Sequence, residues 1–205
     1  MKKKGMLVAT ALAAGFLWTA PAKGQLSVGV AAGATYSSLG GELITGTDSD
    51  WGVLIGGSGL YRFQSNLGLG LEVNWVQKGG RGNVQGASWD LDLDYVEVPL
   101  TAHLIVGLGE RWDWNLYGGI ALAFRTTCDV AGNEGGKEPC DTGAPEFVFE
   151  DSEWSAPFGT ALTYRLARSA VTADGRYSYG LSDAVDNFRL RNRSWQFILR
   201  WGFDI

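Results

Sequence analysis

The sequence predicts an all-β fold, a closed antiparallel up-and-down transmembrane β-barrel of eight strands. Eight segments alternate apolar and polar residues with a period of two, which is typical of strands with two unlike faces. The connections between them alternate in length, which predicts long extracellular loops and short periplasmic turns. The aromatic residues fall near the two ends of the segments, as at two membrane–water interfaces.

The composition fits a single β domain. The chain has 205 residues, of which 30 are glycine and 12% are aromatic, and no linker divides it. Lys2, Lys3 and Lys4 precede an uncharged, mostly apolar run that ends at Trp18. This predicts a signal peptide over residues 1–22, cleaved after Ala22 or Gly24, and a barrel domain over 23–205. An N-terminal membrane anchor is the alternative, although the run is shorter than the ~20 residues that a spanning helix needs.

The charge of the exported chain is acidic. Removal of the three N-terminal lysines takes the formal net charge from −5 to −8. An acidic chain argues against nucleic acid as a partner.

Eight segments carry the two-residue period, and every second connection between them is short. The predicted strands are residues 26–36, 51–63, 67–78, 91–106, 111–126, 153–166, 170–181 and 194–205. The long connections are residues 37–50, 79–90, 127–152 and 182–193. An even number of strands places both termini on the periplasmic side.

Aromatic residues form two predicted belts. Those near the long loops are Trp51, Trp75, Trp154 and Trp195. Those near the short turns are Tyr61, Phe63, Trp112, Trp114, Tyr164, Trp201 and Phe203. A soluble barrel or sandwich is the alternative, but it gives no reason for two rings.

Charged residues on the inward faces predict an ion-pair network that plugs the lumen. Its predicted members are Glu72, Glu97, Asp174, Arg176 and Arg200. An eight-stranded barrel has room for little more than side chains, and an unpaired buried charge is very costly. An ion path or a catalytic carboxylate pair is the alternative interpretation.

The cysteines and the histidine are candidates for a disulfide, a metal site or catalysis. Cys128 and Cys140 bracket a polar, glycine-rich stretch, and export to an oxidising compartment favours a disulfide between them. A metal site is the alternative, but no histidine lies nearby, because His103 is the sole histidine. His103 faces inward near the periplasmic end of its strand with no evident Ser or Asp partner, which favours a structural role over catalysis.

The long loops carry charge of both signs. The basic residues predicted to contact lipopolysaccharide phosphates are Lys78, Arg81, Arg189, Arg191 and Arg193, with a merely solvated rim as the alternative. The loop 127–152 is acidic, through Asp129, Glu134, Glu138, Asp141, Glu146, Glu150 and Asp151. A Ca²⁺ site there is an alternative to a solvated loop, without the spacing of a known motif. We predict no metal and no cofactor.

The stretch "LDLDYVEVPL" at residues 91–100 changes phase halfway. Val96, Val98 and Leu100 fit a lipid-facing strand with Glu97 inward, whereas Leu91 and Leu93 have the opposite parity. We expect Leu91 and Leu93 above the membrane and a β-bulge near Asp94–Tyr95 that resets the phase. Pro99 cannot donate to the ladder, so we expect a second irregularity there.

Residues 71–104 carry a family resemblance. Trp75, Gln77, Lys78 and Gly79 close one strand, and the run from Tyr95 to Leu100 ("YVEVPL") forms the next. The chain resembles the PorT-like family of outer-membrane β-barrel proteins in these motifs and in its strand layout. The resemblance implies a small outer-membrane barrel of about eight strands and brings no catalytic residues with it. The final strand resembles an assembly signal, although it ends in Ile205 rather than the usual Phe.

These features predict a non-enzymatic outer-membrane barrel with a plugged lumen. It would act in envelope integrity, surface interaction or assistance to a secretion complex. The expected partners are outer-membrane lipid and lipopolysaccharide, the barrel-assembly machinery during biogenesis and an envelope protein. The alternatives are a narrow small-solute channel, an envelope enzyme and a soluble periplasmic ligand-binding barrel.

Overall fold

Nine antiparallel strands make up almost all of the computed structural model, which describes residues 25–41, 48–84, 87–131, 136–140, 150–182 and 190–205. The strands are β1 (Gln25–Gly41), β2 (Asp48–Arg62), β3 (Leu67–Val84), β4 (Ala87–Leu108), β5 (Trp112–Ala131), β6 (Lys137–Pro139), β7 (Ser152–Arg165), β8 (Ser169–Gly180) and β9 (Leu190–Asp204). The predicted signal peptide lies outside the described residues. Within the described ranges, no helix is long and apolar enough to cross a membrane.

The sheet closes on itself. Its strand order is β4-β3-β2-β1-β9-β8-β7-β5-β6, and a further pairing of β4 with β5 joins the two sides. The three-residue strand β6 pairs with β5 outside this ring, so eight strands form the barrel. The predicted closed eight-stranded barrel is therefore confirmed.

Each predicted segment coincides with one of the eight barrel strands, to within two residues at the short connections. These short connections, residues 63–66, 109–111 and 166–168, lie with both barrel termini at one end, which we call the turn end. We call the opposite end the loop end. Gly109, in the second of these turns, has a φ of 82°, a left-handed conformation that favours glycine.

One predicted long loop is largely strand. Residues 79–84 and 87–90 continue β3 and β4, and they pair with each other, with Gly79 opposite Asp92 and Arg81 opposite Asp90. Continuing the ladder keeps the backbone N–H and C=O groups of this hairpin paired beyond the apolar part of the barrel.

The outer face of the barrel is apolar. Val30 and Leu199 are each 64% exposed, and Ile55 and Phe197 are more than half exposed. The inward positions of the barrel strands carry Glu72, Asp174, Arg176 and other buried polar residues. This distribution is the inverse of that in a water-soluble barrel.

The aromatic residues of both predicted belts lie on strands or turns at the expected ends, and most have strongly exposed rings. At the loop end, a continuous aromatic ladder crosses five strands. Trp51 lies opposite Tyr36, Tyr36 opposite Trp195, Trp195 opposite Tyr177 and Tyr177 opposite Phe158. The ring centroids of Tyr36 and Trp51, and of Tyr177 and Trp195, are 4.9 Å apart.

Strand β4 keeps one phase along its whole length. Leu91, Leu93 and Tyr95 are buried on the same inward face as Glu97. The expectation that a bulge turns Leu91 and Leu93 to the other face is therefore wrong. The polarity of both faces changes instead, because this part of β4 extends beyond the apolar band. Its inward face there carries buried apolar residues, and its outward face carries Asp92 and Asp94.

The predicted irregularity at Asp94–Tyr95 is confirmed, but its extra residue belongs to β5. Asp94 lies opposite Thr127 and Tyr95 opposite Arg125, which leaves Thr126 as the inserted residue. The bulge changes the inward positions of β5 from odd to even, so that Cys128 lies opposite Leu93.

Pro99 also interrupts the ladder, as expected. Pairing of β3 with β4 stops between Leu71–Leu100 and Asn74–Glu97 and resumes in the same register. Pro99 stays paired with Ala121 of β5 on its other side. Because proline has no N–H group, β4 loses its pairing with β3 at this point, and the register of the two strands does not shift.

We predict that Gly119→Ala destabilises the barrel by about 1–3 kcal/mol, because a Cβ there would overlap the backbone carbonyl oxygen of Leu100 on β4. Gly175→Ala is the matched control, since a Cβ at Gly175 meets no described atom within 4 Å. Urea-induced unfolding in lipid vesicles measures both. Equal stability of the two variants would contradict the close approach of β4 and β5.

Candidate functional site

A buried ion-pair network crosses the lumen between β3, β8 and β9. Arg176 Nη2 lies 2.6 Å from Glu72 Oε1, and Arg200 Nη2 lies 3.0 Å from the same oxygen. Arg200 also pairs with Asp174, which lies 3.8 Å from Arg176. The structure thus brings together four of the five residues predicted for the lumen network.

Tyr117 of β5 completes this network. Its hydroxyl donates to Asp174 Oδ1 at 2.6 Å and accepts from Arg176 Nε at 3.0 Å. Its odd position, shared with Asp113 and Asn115, is the sequence signal that could have placed it inward. Four strands on different sides of the barrel are therefore connected through two carboxylates, two guanidinium groups and one phenol.

The network is balanced in charge and almost inaccessible. The Arg176 side chain is 1% exposed, and the side chains of Glu72 and Asp174 are 6% and 0% exposed. Glu72 Oε2 also accepts a hydrogen bond of 2.8 Å from Asn74. Both carboxylates are thus engaged by cations and donors, an arrangement that suits a plug better than a general base.

Glu97 does not join the arginines. It forms an ion pair with Lys78 of the neighbouring strand and accepts a hydrogen bond of 3.4 Å from Gln196. The prediction of one network containing Glu97 is therefore wrong, because Glu97 lies closer to the loop end, where Lys78 is the nearest buried cation.

Lys78 is placed inside the lumen, which contradicts its predicted contact with lipopolysaccharide. Its side chain is 2% exposed, and its Nζ lies 5.1 Å from the centre of the Tyr95 ring. Even-numbered positions of β3 face inward, so Lys78 continues the face that carries Glu72 and Asn74.

A further buried acid, Glu153 of β7, accompanies this second cluster. It accepts a hydrogen bond of 2.6 Å from the Tyr95 hydroxyl and one of 2.5 Å from Asn192 Nδ2. Glu153 was not among the predicted lumen residues, although its parity along β7 points inward. The loop-end half of the lumen is thus filled by polar side chains from four strands.

The turn end has its own charged group. Asp113 is buried and accepts from Arg62 Nη2 at 2.8 Å and from Arg165 Nε at 2.7 Å. Nearby, His103 forms a hydrogen bond of 2.9 Å with Thr101 and stacks on Tyr117 with ring centroids 4.8 Å apart. These contacts support the predicted structural role of His103.

A disulfide joins Cys128 to Cys140, with Cα atoms 5.5 Å apart. Cys140 is 1% exposed and packs with Leu91, Leu93, Tyr95 and Ala123, next to Cys128 and Val130. We call these seven residues the apolar cap. The cap covers the loop-end half of the lumen, so the disulfide fixes the hairpin of β5 and β6 over it.

Charged groups at the loop end are largely paired on the outer side. Arg81 pairs with Asp50 at 3.3 Å and with Asp90 at 3.2 Å, while Lys137 pairs with Asp92. The hydrogen bond to Asp92 raises the pKa of Lys137. Carboxylate oxygens of Asp50, Asp90 and Asp92 lie within 4.8 Å of one another, and each of the three acids forms an ion pair with Arg81 or Lys137.

The remaining predicted basic contacts lie on or next to β9. Arg193 is exposed and its guanidinium carbon lies 5.3 Å from the Tyr179 ring centre, while Arg191 is partly exposed. Arg189 lies outside the described residues, as do Glu134, Asp141 and Glu146 of the acidic loop.

An apolar outer surface around a polar, ion-paired lumen in a closed eight-stranded ring defines a transmembrane β-barrel. The chain belongs to the outer membrane protein beta-barrel domain family, whose model matches residues 19–186. Its location is therefore the outer membrane. No curated protein matches the chain.

Several solved structures are similar to the chain, among them three bacterial outer-membrane proteins. Outer membrane protein OprG from Pseudomonas aeruginosa is 13% identical, with 89% of this chain and 95% of that one covered and a TM-score of 0.49. The N-terminal β-barrel domain of Pseudomonas aeruginosa OprF is 18% identical, covering 89% and 99%, with a TM-score of 0.48. Ail of Yersinia pestis, in complex with the heparin analogue sucrose octasulfate, is 15% identical, covering 88% and 99%, with a TM-score of 0.44.

We predict that Arg176→Met destabilises the barrel by about 3–5 kcal/mol, because it leaves Glu72 and Asp174 buried with one cation between them. The double variant Arg176→Met/Glu72→Gln removes both charges of one pair and should recover much of the loss. Unfolding in lipid vesicles gives the free energies. A single variant as stable as the wild type would rule out a structural network.

We predict that reduction, or Cys128→Ser/Cys140→Ser, loosens the hairpin of β5 and β6 while the barrel stays folded. The disulfide closes a segment that lies outside the ring of eight strands. Its loss is expected to destabilise this segment by about 3 kcal/mol. Limited proteolysis should cut between residues 128 and 151, and heat-modifiable gel migration should persist. Loss of that migration would mean that the barrel itself depends on the disulfide.

Proposed function

We propose that the protein is a non-enzymatic outer-membrane barrel whose lumen is closed by side chains and whose loop end makes surface contacts. Its role would be envelope integrity, surface interaction or assistance to a secretion complex. The resemblance to PorT-like proteins supports the last of these. The observation that carries the proposal is the filling of the lumen by buried ion pairs.

Four barriers lie in series along the lumen. The Glu72, Asp174, Arg176 and Arg200 network lies nearer the turn end, and the Lys78–Glu97 pair lies nearer the loop end. Between them, Ala31, Leu54, Val76 and Ile198 form a buried apolar cluster. The apolar cap then covers the loop end. A solute would have to displace charged, desolvated and apolar groups in turn, which favours a closed barrel over a channel.

The loop end supplies the surface for contact. The β3–β4 hairpin extends beyond the apolar band, and the disulfide holds the neighbouring hairpin against it. We place this end outside the cell and both termini in the periplasm, as short turns and long loops favour. Arg191 and Arg193, together with Arg81, would meet lipopolysaccharide phosphates there, since guanidinium groups bind phosphate in bidentate fashion.

We predict that the refolded mature chain gives no steady current in a planar lipid bilayer. Both ion-pair clusters should remain closed, because opening either one leaves charges buried and unpaired. Single-channel recording at moderate voltage measures this, and a wide porin inserted into the same bilayer shows that current is detectable.

Uniform unitary currents from the wild-type chain would contradict a closed lumen and favour the channel alternative. The matched variant is Lys78→Ala/Glu97→Ala, which removes one barrier and leaves the arginine network in place. It should also stay silent, because the remaining network and the apolar cap still close the lumen.

A further inference from the structure

A cavity of about 100 Å³ opens inside the barrel on the turn-end side of the arginine network. We call it the turn-end chamber. Its wall includes Arg62, Arg165, Arg200, His103 and Asn115. The chamber is thus lined by three guanidinium groups, an imidazole and an amide, together with the carboxylates of Glu72 and Asp204.

Several polar atoms of this wall lack partners among the described residues. They include the Nε of Arg62, the Nε of Arg200, the Nδ1 of His103 and the Oδ1 of Asn115, all shielded from solvent. Asn115 is 4% exposed. Buried polar groups are nearly always hydrogen-bonded, so these four atoms beside one cavity mark it as a place where a bound water or ion completes their hydrogen bonds.

The hydrogen bonds of His103 define what its free nitrogen can do. The Thr101 hydroxyl lies 3.4 Å from the Gly70 carbonyl oxygen and 2.9 Å from His103 Nε2, and in the tautomer that the proposal uses it donates to the carbonyl and accepts from Nε2. In the neutral ring the proton then sits on Nε2, and Nδ1 is an acceptor. The chamber therefore offers guanidinium donors on one side and an acceptor on His103.

The fixed charges favour an anion. Within the described residues, Asp113 is the acid bonded to both Arg62 and Arg165, which leaves a surplus positive charge, whereas the network of Glu72, Asp174, Arg176 and Arg200 is balanced. Asp204 also borders the chamber, but it is exposed at the mouth and accepts from Ser27. Its charge is screened by water there, whereas the Arg62 side chain is 14% exposed.

We propose that the turn-end chamber binds a small oxyanion that carries one proton, of the hydrogen phosphate class. Arg62 and Arg200 donate to its oxygens, and its O–H donates to His103 Nδ1. Arginine forks are suited to such oxygens, and charge-assisted hydrogen bonds in a desolvated site are strong. This site is additional to the surface role proposed above and does not depend on it.

The test uses the refolded mature chain in detergent micelles, titrated with inorganic phosphate at pH 7. Calorimetry and ³¹P line broadening should both show saturable binding to one site. Sulfate has the same shape but no proton, so it should bind about tenfold more weakly. Arg62→Gln should weaken phosphate binding about tenfold or more.

The matched control is Arg168→Gln, which removes an exposed arginine from the β7–β8 turn at the same end but outside the chamber wall. It should bind phosphate like the wild type. Heat-modifiable migration checks that each variant is folded. Should Arg62→Gln fail to fold, Ala161→Leu fills the chamber without removing a charge and should abolish binding.

Two results would overturn the proposal. One is a wild-type chain that shows no saturable phosphate binding, and the other is a folded Arg62→Gln or Ala161→Leu chain that binds as tightly as Arg168→Gln. Equal affinity for phosphate and sulfate would overturn the assignment of the anion's proton to His103.

Discussion

The ion pairs of Glu72 with Arg176 and Arg200 are the contacts on which the arrangement of the lumen depends. A closed ring of eight strands turns every second side chain inward, and the lipid outside leaves the interior as the place for polar residues. Such a narrow interior holds little water, so charges there need partners within reach. The network provides these partners from β3, β8 and β9, and it thereby connects strands that are far apart in the ring.

The same constraint explains why β4 looks irregular in sequence but is regular in structure. Between Val96 and Leu104 its outer face meets lipid, and its inner face carries Glu97 and Thr101. Beyond Tyr95 the outer face meets water, and the interior is packed by Leu91 and Leu93 under the disulfide-bonded hairpin. The strand keeps its phase, and the medium around it changes. Above the apolar band the barrel therefore follows the rule of a soluble protein.

The sequence period was sufficient to predict the eight strands and the direction in which most side chains point, because both follow from a local alternation. It was not sufficient to predict which inward residues meet. Glu97 and Glu72 both face inward, yet they belong to different clusters because the stagger between strands sets their height. Lys78, like Glu72, is an even-numbered residue of β3, which indicates an inward side chain. We nevertheless predicted a surface contact for Lys78, because a long loop was predicted to begin at the next residue. Its burial follows from the extension of β3 to Val84, which no local pattern reveals.

The two halves of the lumen differ in how their side chains are arranged, and the accessible half is the one at the turn end. Toward the loop end, Lys78, Glu97 and Glu153 are each matched by near neighbours, and the apolar cap lies above them. Toward the turn end, Asp113 is shared by two arginines, and a cavity of about 100 Å³ borders these arginines. A closed network in the middle separates these halves. In the closed barrel that we propose, a small polar molecule would enter from the turn end and stop at Arg200, so the network would serve both as a plug for the lumen and as the floor of the chamber.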